Sequence, residues 1–166
     1  MTSRVTLSAV LLLALTMLSG CRQADGPLPV ADGDRPNQII DISRDLASVA
    51  RGEAQARTDL ADDLRVFIDM VPGGVPASAE LARRTSEVVA GRTMTDQNFQ
   101  RLAHQLWTVT SARDLSERQI EAMQKDTQAL LVSLGVPDSG AQGVVAQVAV
   151  VQKVINRRPR RWYELF

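Results

Sequence analysis

The chain of 166 residues carries 19 basic and 19 acidic side chains and one histidine. That balance points away from nucleic acid as a partner and away from wholesale attraction to acidic surfaces. Aromatic residues are only 4% of the chain, while Ala, Val and Leu are abundant, a mix suited to close helix packing rather than to a sheet built on aromatic cross-strand pairs.

After Arg4 the sequence runs from Val5 to Met17 without a charged side chain, then reads Leu18-Ser19-Gly20-Cys21 before Arg22 and Gln23. A membrane-spanning helix needs about 20 apolar residues, and this stretch stops several short of that. Its length is that of an export-signal core. The tetrapeptide Leu18-Ser19-Gly20-Cys21 resembles the lipobox of bacterial lipoproteins. The resemblance implies a signal peptide over residues 1–20, cleavage before Cys21, and a diacylglyceryl group on the Cys21 thiol. It also implies three acyl chains in all, where two already anchor a protein stably to a bilayer. In that family an aspartate directly after the cysteine retains the protein at the inner membrane. Here the residue is Arg22, so the resemblance implies the outer membrane, facing the periplasm. Cys21 is the only cysteine, and once acylated it leaves no thiol for a disulfide, a metal or nucleophilic chemistry.

From Cys21 to Pro36 the sequence is rich in Gly, Pro, Asp and small polar residues, which reads as a flexible tether. Residues 37–157 then show helical periodicity throughout, and the expected fold is all-α: a bundle of four to five antiparallel helices. In the first segment Ile39, Ile42, Leu46, Val49, Ala56, Leu60, Phe67 and Met70 follow steps of three and four, with Glu53 and Asp63 in the same series. The spacing predicts one long helix bent at Gly52, with two successive helices as the alternative. Pro72-Gly73-Gly74-Val75-Pro76 ends it.

A second helix is expected from about Ala77 to Ala90, carrying Leu81, Thr85 and Val88 inward and Glu80, Arg83, Arg84 and Glu87 outward, with Gly91 as its stop. The third opens at Thr95 or Asp96 and stripes Phe99, Leu102, Leu106 and Val109. The fourth opens at Ser116, with Gln119 three residues later in a capping-box pattern, and stripes Ile120, Met123, Thr127, Leu130 and Leu134. The last, Ala141 to Asn156, is apolar on nearly every face, which predicts a buried central element. Valine-rich runs also suit strands, but the step-four seam Val144, Val148, Val151, Ile155 favours a helix. Gln142, Gln147 and Gln152 break it too often for a membrane span.

The residues that carry chemistry form no catalytic or metal-binding constellation. His104 lies opposite the third helix's apolar stripe without a carboxylate or cysteine at ligand spacing, which reads as a surface histidine. Asp59, Asp62 and Asp63 read as a solvated acidic face, since a straight helix cannot wrap a hard cation. The Gly73-Gly74 and Gly140/Gly143 pairs follow no strand and precede no phosphate-binding lysine, and no nucleophile elbow is present. No catalytic residue, metal ligand or cofactor is therefore expected.

The C-terminus departs from this pattern. Arg157, Arg158, Arg160 and Arg161 stand beside Trp162, Tyr163 and Phe166, and residues 158–166 form a basic and aromatic tail. Such a strip can pair with anionic groups while its rings lie on an apolar partner or at a headgroup boundary; the alternative is that the rings fold back onto the bundle. Anchor, tether, catalytically empty helices and tail together suggest a non-enzymatic module that binds another envelope protein through a helical groove or the tail. Leu115-Ser116-Glu117-Arg118-Gln119 also resembles the Leu-Thr-x-x-Gln signature of helical periplasmic chaperones and stress sensors, with Met94-Thr95-Asp96-Gln97-Asn98 as a second, poorer copy. A small helical lipoprotein is similar in architecture to pilotins, which escort outer-membrane channel subunits, although no shared motif accompanies that likeness.

Overall fold

Gly52 divides the first periodic stretch into two helices. In the computed structural model, which describes residues 35–66, 68 and 71–156, α1 (Arg35–Ala50) stops short of this glycine and α2 (Ala56–Arg65) begins beyond it. Gly52 takes φ +78, its N–H bonds to the Val49 carbonyl, and the Glu53 N–H bonds to that of Ser48. This pair of bonds is the Schellman closure, in which a left-handed glycine turns the chain and satisfies the helix's last carbonyls. The expected single bent helix is therefore corrected: the glycine terminates a helix instead of weakening one. Phe67 and Met70, at the end of the expected series, lie outside the described residues.

Four more helices follow: α3 (Gly74–Val89), α4 (Asp96–Ser111), α5 (Glu117–Ser133) and α6 (Asp138–Ile155). The fold is all-α, with six helices and no strand among the described residues. The expected count of four to five falls short because the first of the five periodic segments is split at Gly52. None of the described helices is long and apolar enough to cross a membrane.

The caps explain where several helices start and stop. Thr95 accepts a hydrogen bond from the Asn98 N–H at the start of α4. At α5, Ser116 Oγ accepts from the Gln119 N–H while Gln119 Oε1 accepts from the Ser116 N–H, completing the capping box. Both donors would otherwise be unpaired at the helix end. Ser116→Ala should therefore lower stability by about 1 kcal/mol, read as a shift in the urea midpoint, whereas Ser139→Ala, at an exposed position in the first turn of α6, should leave it in place. The Val136 N–H bonds back to the Leu131 carbonyl as α5 ends, and both of those side chains are buried.

Packing follows the apolar stripes. Ile42, Leu46 and Val49 of α1, Leu60 and Leu64 of α2, Leu81 and Val89 of α3, Leu102 and Leu106 of α4, and Met123 and Leu131 of α5 meet in one core. The most extensive interfaces join α1 to α4 and α3 to α6. Helices α3 and α6 run antiparallel, since Gln147 Nε2 donates to the Ala77 carbonyl near the start of α3 while a Cβ on Gly140 would meet Val88 near its end. The last turns of α1 and α3 are tied by the Gly91 N–H on the Ala50 carbonyl, 3.1 Å. Outside, Arg83 and Arg84 bond Glu80 at 2.6 and 2.8 Å, and Arg83 also reaches Glu87. The Arg83 hydrogen bond, then that of Arg84, holds the Glu80 carboxyl down to about 2.

Helix α6 is not the wholly buried element expected. Ala141, Val144, Val148, Val151 and Ile155 face inward, but Ala146 is exposed and Val150 is 45% exposed. Neighbours on α3, α5 and α4 cover one side of the helix and leave a small-residue outer face, an ordinary exposure for single valines and alanines. The most buried polar side chain of α6 has a structural task. Gln152 donates to the carbonyl of Val109, in the last turn of α4, where helix carbonyls lack intrahelical partners. Asn156 extends the clasp by accepting from the Leu115 N–H and donating to the Gln152 carbonyl, each at 3.0 Å.

Candidate functional site

An open groove lies where α1, α4 and α5 meet. In α1, Ile42 and Leu46 take the inward positions, which places Ile39 at the edge of the buried face and turns Ile40 outward, 57% exposed. In α4, burial of Phe99, Leu102 and Leu106 leaves Gln97, Gln100, Arg101 and His104 along the other side at helical spacing. Leu130 of α5 closes the groove, which encloses about 780 Å³.

Its chemistry is mixed in a definite way. Ile39 and Ile40 of α1 supply an apolar wall, and Leu130 of α5 adds to the apolar lining. Gln97, Gln100 and Gln105 supply amide groups, and Arg101 and His104 supply a guanidinium and an imidazole. Among the described residues that line it, none is a carboxylate. Gln105 is held in place because its Nε2 donates to Thr127 Oγ1 at 2.8 Å while the Thr127 hydroxyl donates to the Met123 carbonyl, also at 2.8 Å. Trp107 lies beneath, fully buried, with its ring 6.3 Å from that of His104 and tilted by 48°. Its Nε1 donates to Gln38 Oε1 of α1 at 3.3 Å. Two walls of the groove are thus fixed by polar bonds between helices, and an occupant would find much of the shape ready made.

His104 is exposed on α4, where the sequence places it, but it belongs to the groove wall. Among the described residues no group of three or more His, Cys, Asp or Glu side chains is arranged to hold a metal ion. The expectation of a solvated trio at Asp59, Asp62 and Asp63 needs correction. Asp59 and Asp62 are exposed, whereas Asp63 is partly buried against Asp45 of α1. Asp45 itself is only 7% exposed, and its position was legible, since Ile42, Asp45, Leu46 and Val49 share one face of the helix.

Leu18, Ser19, Gly20 and Cys21, the stretch that resembles a lipobox, lie outside the described residues. So do Arg157, Arg158, Arg160, Arg161, Trp162, Tyr163 and Phe166 of the tail. Compared with known proteins, the chain matches no family model, no curated protein and no solved structure. The residues of the chaperone-like signature are accounted for locally, because Ser116 and Gln119 form the α5 capping box and Thr95 caps α4.

Proposed function

We propose that this chain is a lipoprotein of the bacterial cell envelope, anchored through Cys21 and placed at the outer membrane facing the periplasm. In this reading it acts without catalysis, docking an apolar segment of a partner protein in the α1/α4/α5 groove. The observation that carries the binding half is the groove itself: an exposed isoleucine beside a cationic and amide-bearing wall with no carboxylate among its described lining residues. Such a surface suits a partner segment with apolar side chains and an acidic flank, because the apolar contact supplies affinity and Arg101 supplies orientation. The lipobox carries the anchoring half.

Photo-crosslinkers placed in living cells at Ile40 and at Arg101 test the docking, with Ala79 on the exposed side of α3 as the control position. The expected result is one envelope protein captured from the groove positions and not from the control. Ile40→Asp should weaken that capture by roughly tenfold, since it removes an apolar contact worth about 1.5 kcal/mol, while leaving the urea midpoint almost unchanged. Capture at all three positions alike would remove the groove from the proposal. Fatty-acid labelling of the native protein and of Cys21→Ala tests the anchor separately, and label retained by the variant would overturn that half.

A further inference from the structure

We propose that Asp45 and Asp63 form a proton-sharing carboxyl pair that latches α1 to α2, closed while the pair holds one proton and loosened when both groups ionise. Two helices that join through a tight turn bring the groups together: Asp41 and Asp45 lie one turn apart on α1, and Asp59 and Asp63 one turn apart on α2. Asp45 is buried, and its Oδ2 has no donor among the described protein groups. A buried anionic oxygen without a donor is costly, and the group it meets across the interface is another carboxyl. Two carboxyls can be joined directly only by a hydrogen bond that one of them donates. A proton held by the pair gives the buried Asp45 carboxyl a hydrogen bond to Asp63 and removes the cost of burying its charge.

The surroundings favour that state. Burial, then the hydrogen bond with Asp63 and the charges of Asp63 and Asp59, pushes Asp45 up from 3.8 to about 7, against a smaller downward pull from Arg44. Burial also raises Asp63, opposed by its bond from Asp45. Asp45 is the more deeply buried of the two, so the proton is assigned to it, with the Asp63 carboxylate as acceptor. Arg44 is committed in part to Asp41, at 2.7 Å. Helices α3 and α4 also pack on α1, but their charged groups lie elsewhere. Glu80, Arg83, Arg84 and Glu87 pair on the outer face of α3, and Asp96, Arg101 and His104 of α4 are exposed.

The sign of the effect follows from proton linkage. Between 3.8 and about 7 the folded chain keeps a proton on Asp45 that the unfolded chain has lost, so stability is fully present at the acid end and declines as pH rises through about 7. One proton of difference lowers the folding constant by up to about tenfold for each pH unit in that window.

The full chain, purified in detergent, is unfolded with urea at about pH 5.5 and about pH 8 as wild type, Asp45→Asn and Asp63→Asn; the pH span follows from the linkage window. Asparagine at 45 keeps the donor and removes the titration. The expected result is a wild-type folding constant at least about tenfold lower at the higher pH, with most of that loss absent from Asp45→Asn. Every other titratable group is present in both proteins, so their difference isolates the pair. Hydrogen exchange, compared at equal pH, should show the α1 and α2 amides of the wild type opening faster than those of Asp45→Asn at about pH 8 and equally at about pH 5.5. Should Asp45→Asn fail to fold, Asp63→Asn is expected to show part of that flattening, because its amide can donate to the Asp45 carboxylate while burial still raises that group. A wild type indifferent to pH, or a folding variant with the wild-type slope, would overturn the latch.

Discussion

Replacing Gly74 with alanine is expected to destabilise the fold by about 3 kcal/mol, the upper end for forcing one extra carbon into a packed site. The cause is backbone meeting backbone. A Cβ at residue 74 would lie 1.8 Å from the Ile68 carbonyl oxygen and 2.9 Å from its carbon, and no side-chain rotation relieves such a collision. The Gly74 N–H is bonded to the Val71 carbonyl at 2.7 Å, and Ile68 is fully buried. Either the α2–α3 connection shifts and pulls Ile68 from the core, or the first turn of α3 moves away from α6. Gly143→Ala supplies the contrast, because its Cβ would meet only the end of Arg84 at 3.7 Å. In the interior of α6 that change should stabilise by up to about 1 kcal/mol, since alanine restricts the unfolded chain and favours helix. Urea midpoints of the two variants should therefore move in opposite directions. A Gly74→Ala midpoint equal to that of wild type would show that the connection can relax without cost.

Another glycine, Gly52, marks a boundary in what the sequence discloses. Thr95 and Ser116 announce their helices through chemistry that needs only three neighbouring residues, and the structure forms both caps. Gly52 was ambiguous because apolar spacing continues across it, and periodicity alone cannot tell a glycine inside a helix from one that closes it. Asp63 was visible on the inward series of α2, but its partner on α1 depends on how two helices turn against each other. The groove is less legible still. Ile40 becomes exposed, and Gln97, Arg101 and His104 become a wall, only through the choice of which helix faces are covered by neighbours. Gln152 looked like an interruption of an apolar helix, and its value comes from a carbonyl 43 residues away at the end of α4.

Trp107→Ala should be as damaging as any single truncation in the bundle, lowering stability by about 3–5 kcal/mol out of the roughly 5–15 kcal/mol that holds a typical domain. The apolar stripe Phe99, Leu102, Leu106, Val109 leaves this tryptophan one position aside, yet it is only 1% exposed because α1 lies across it. Its ring is part of the α1–α4 interface, and its N–H fixes Gln38 near the start of α1. Truncation would open a cavity between the two helices and free that end of α1 together with the Ile39 and Ile40 wall of the groove. Trp107→Phe separates the contributions. It keeps most of the apolar contact and loses the hydrogen bond to Gln38, whose partly exposed side chain can turn to water, so its cost should be near 1 kcal/mol. Circular dichroism is the suitable readout for urea unfolding, since the substitutions remove a fluorophore. If the alanine and phenylalanine variants unfold at the same midpoint, the ring does not hold α1 in place, and the fixed wall assigned to the groove must be supplied by the smaller side chains around it.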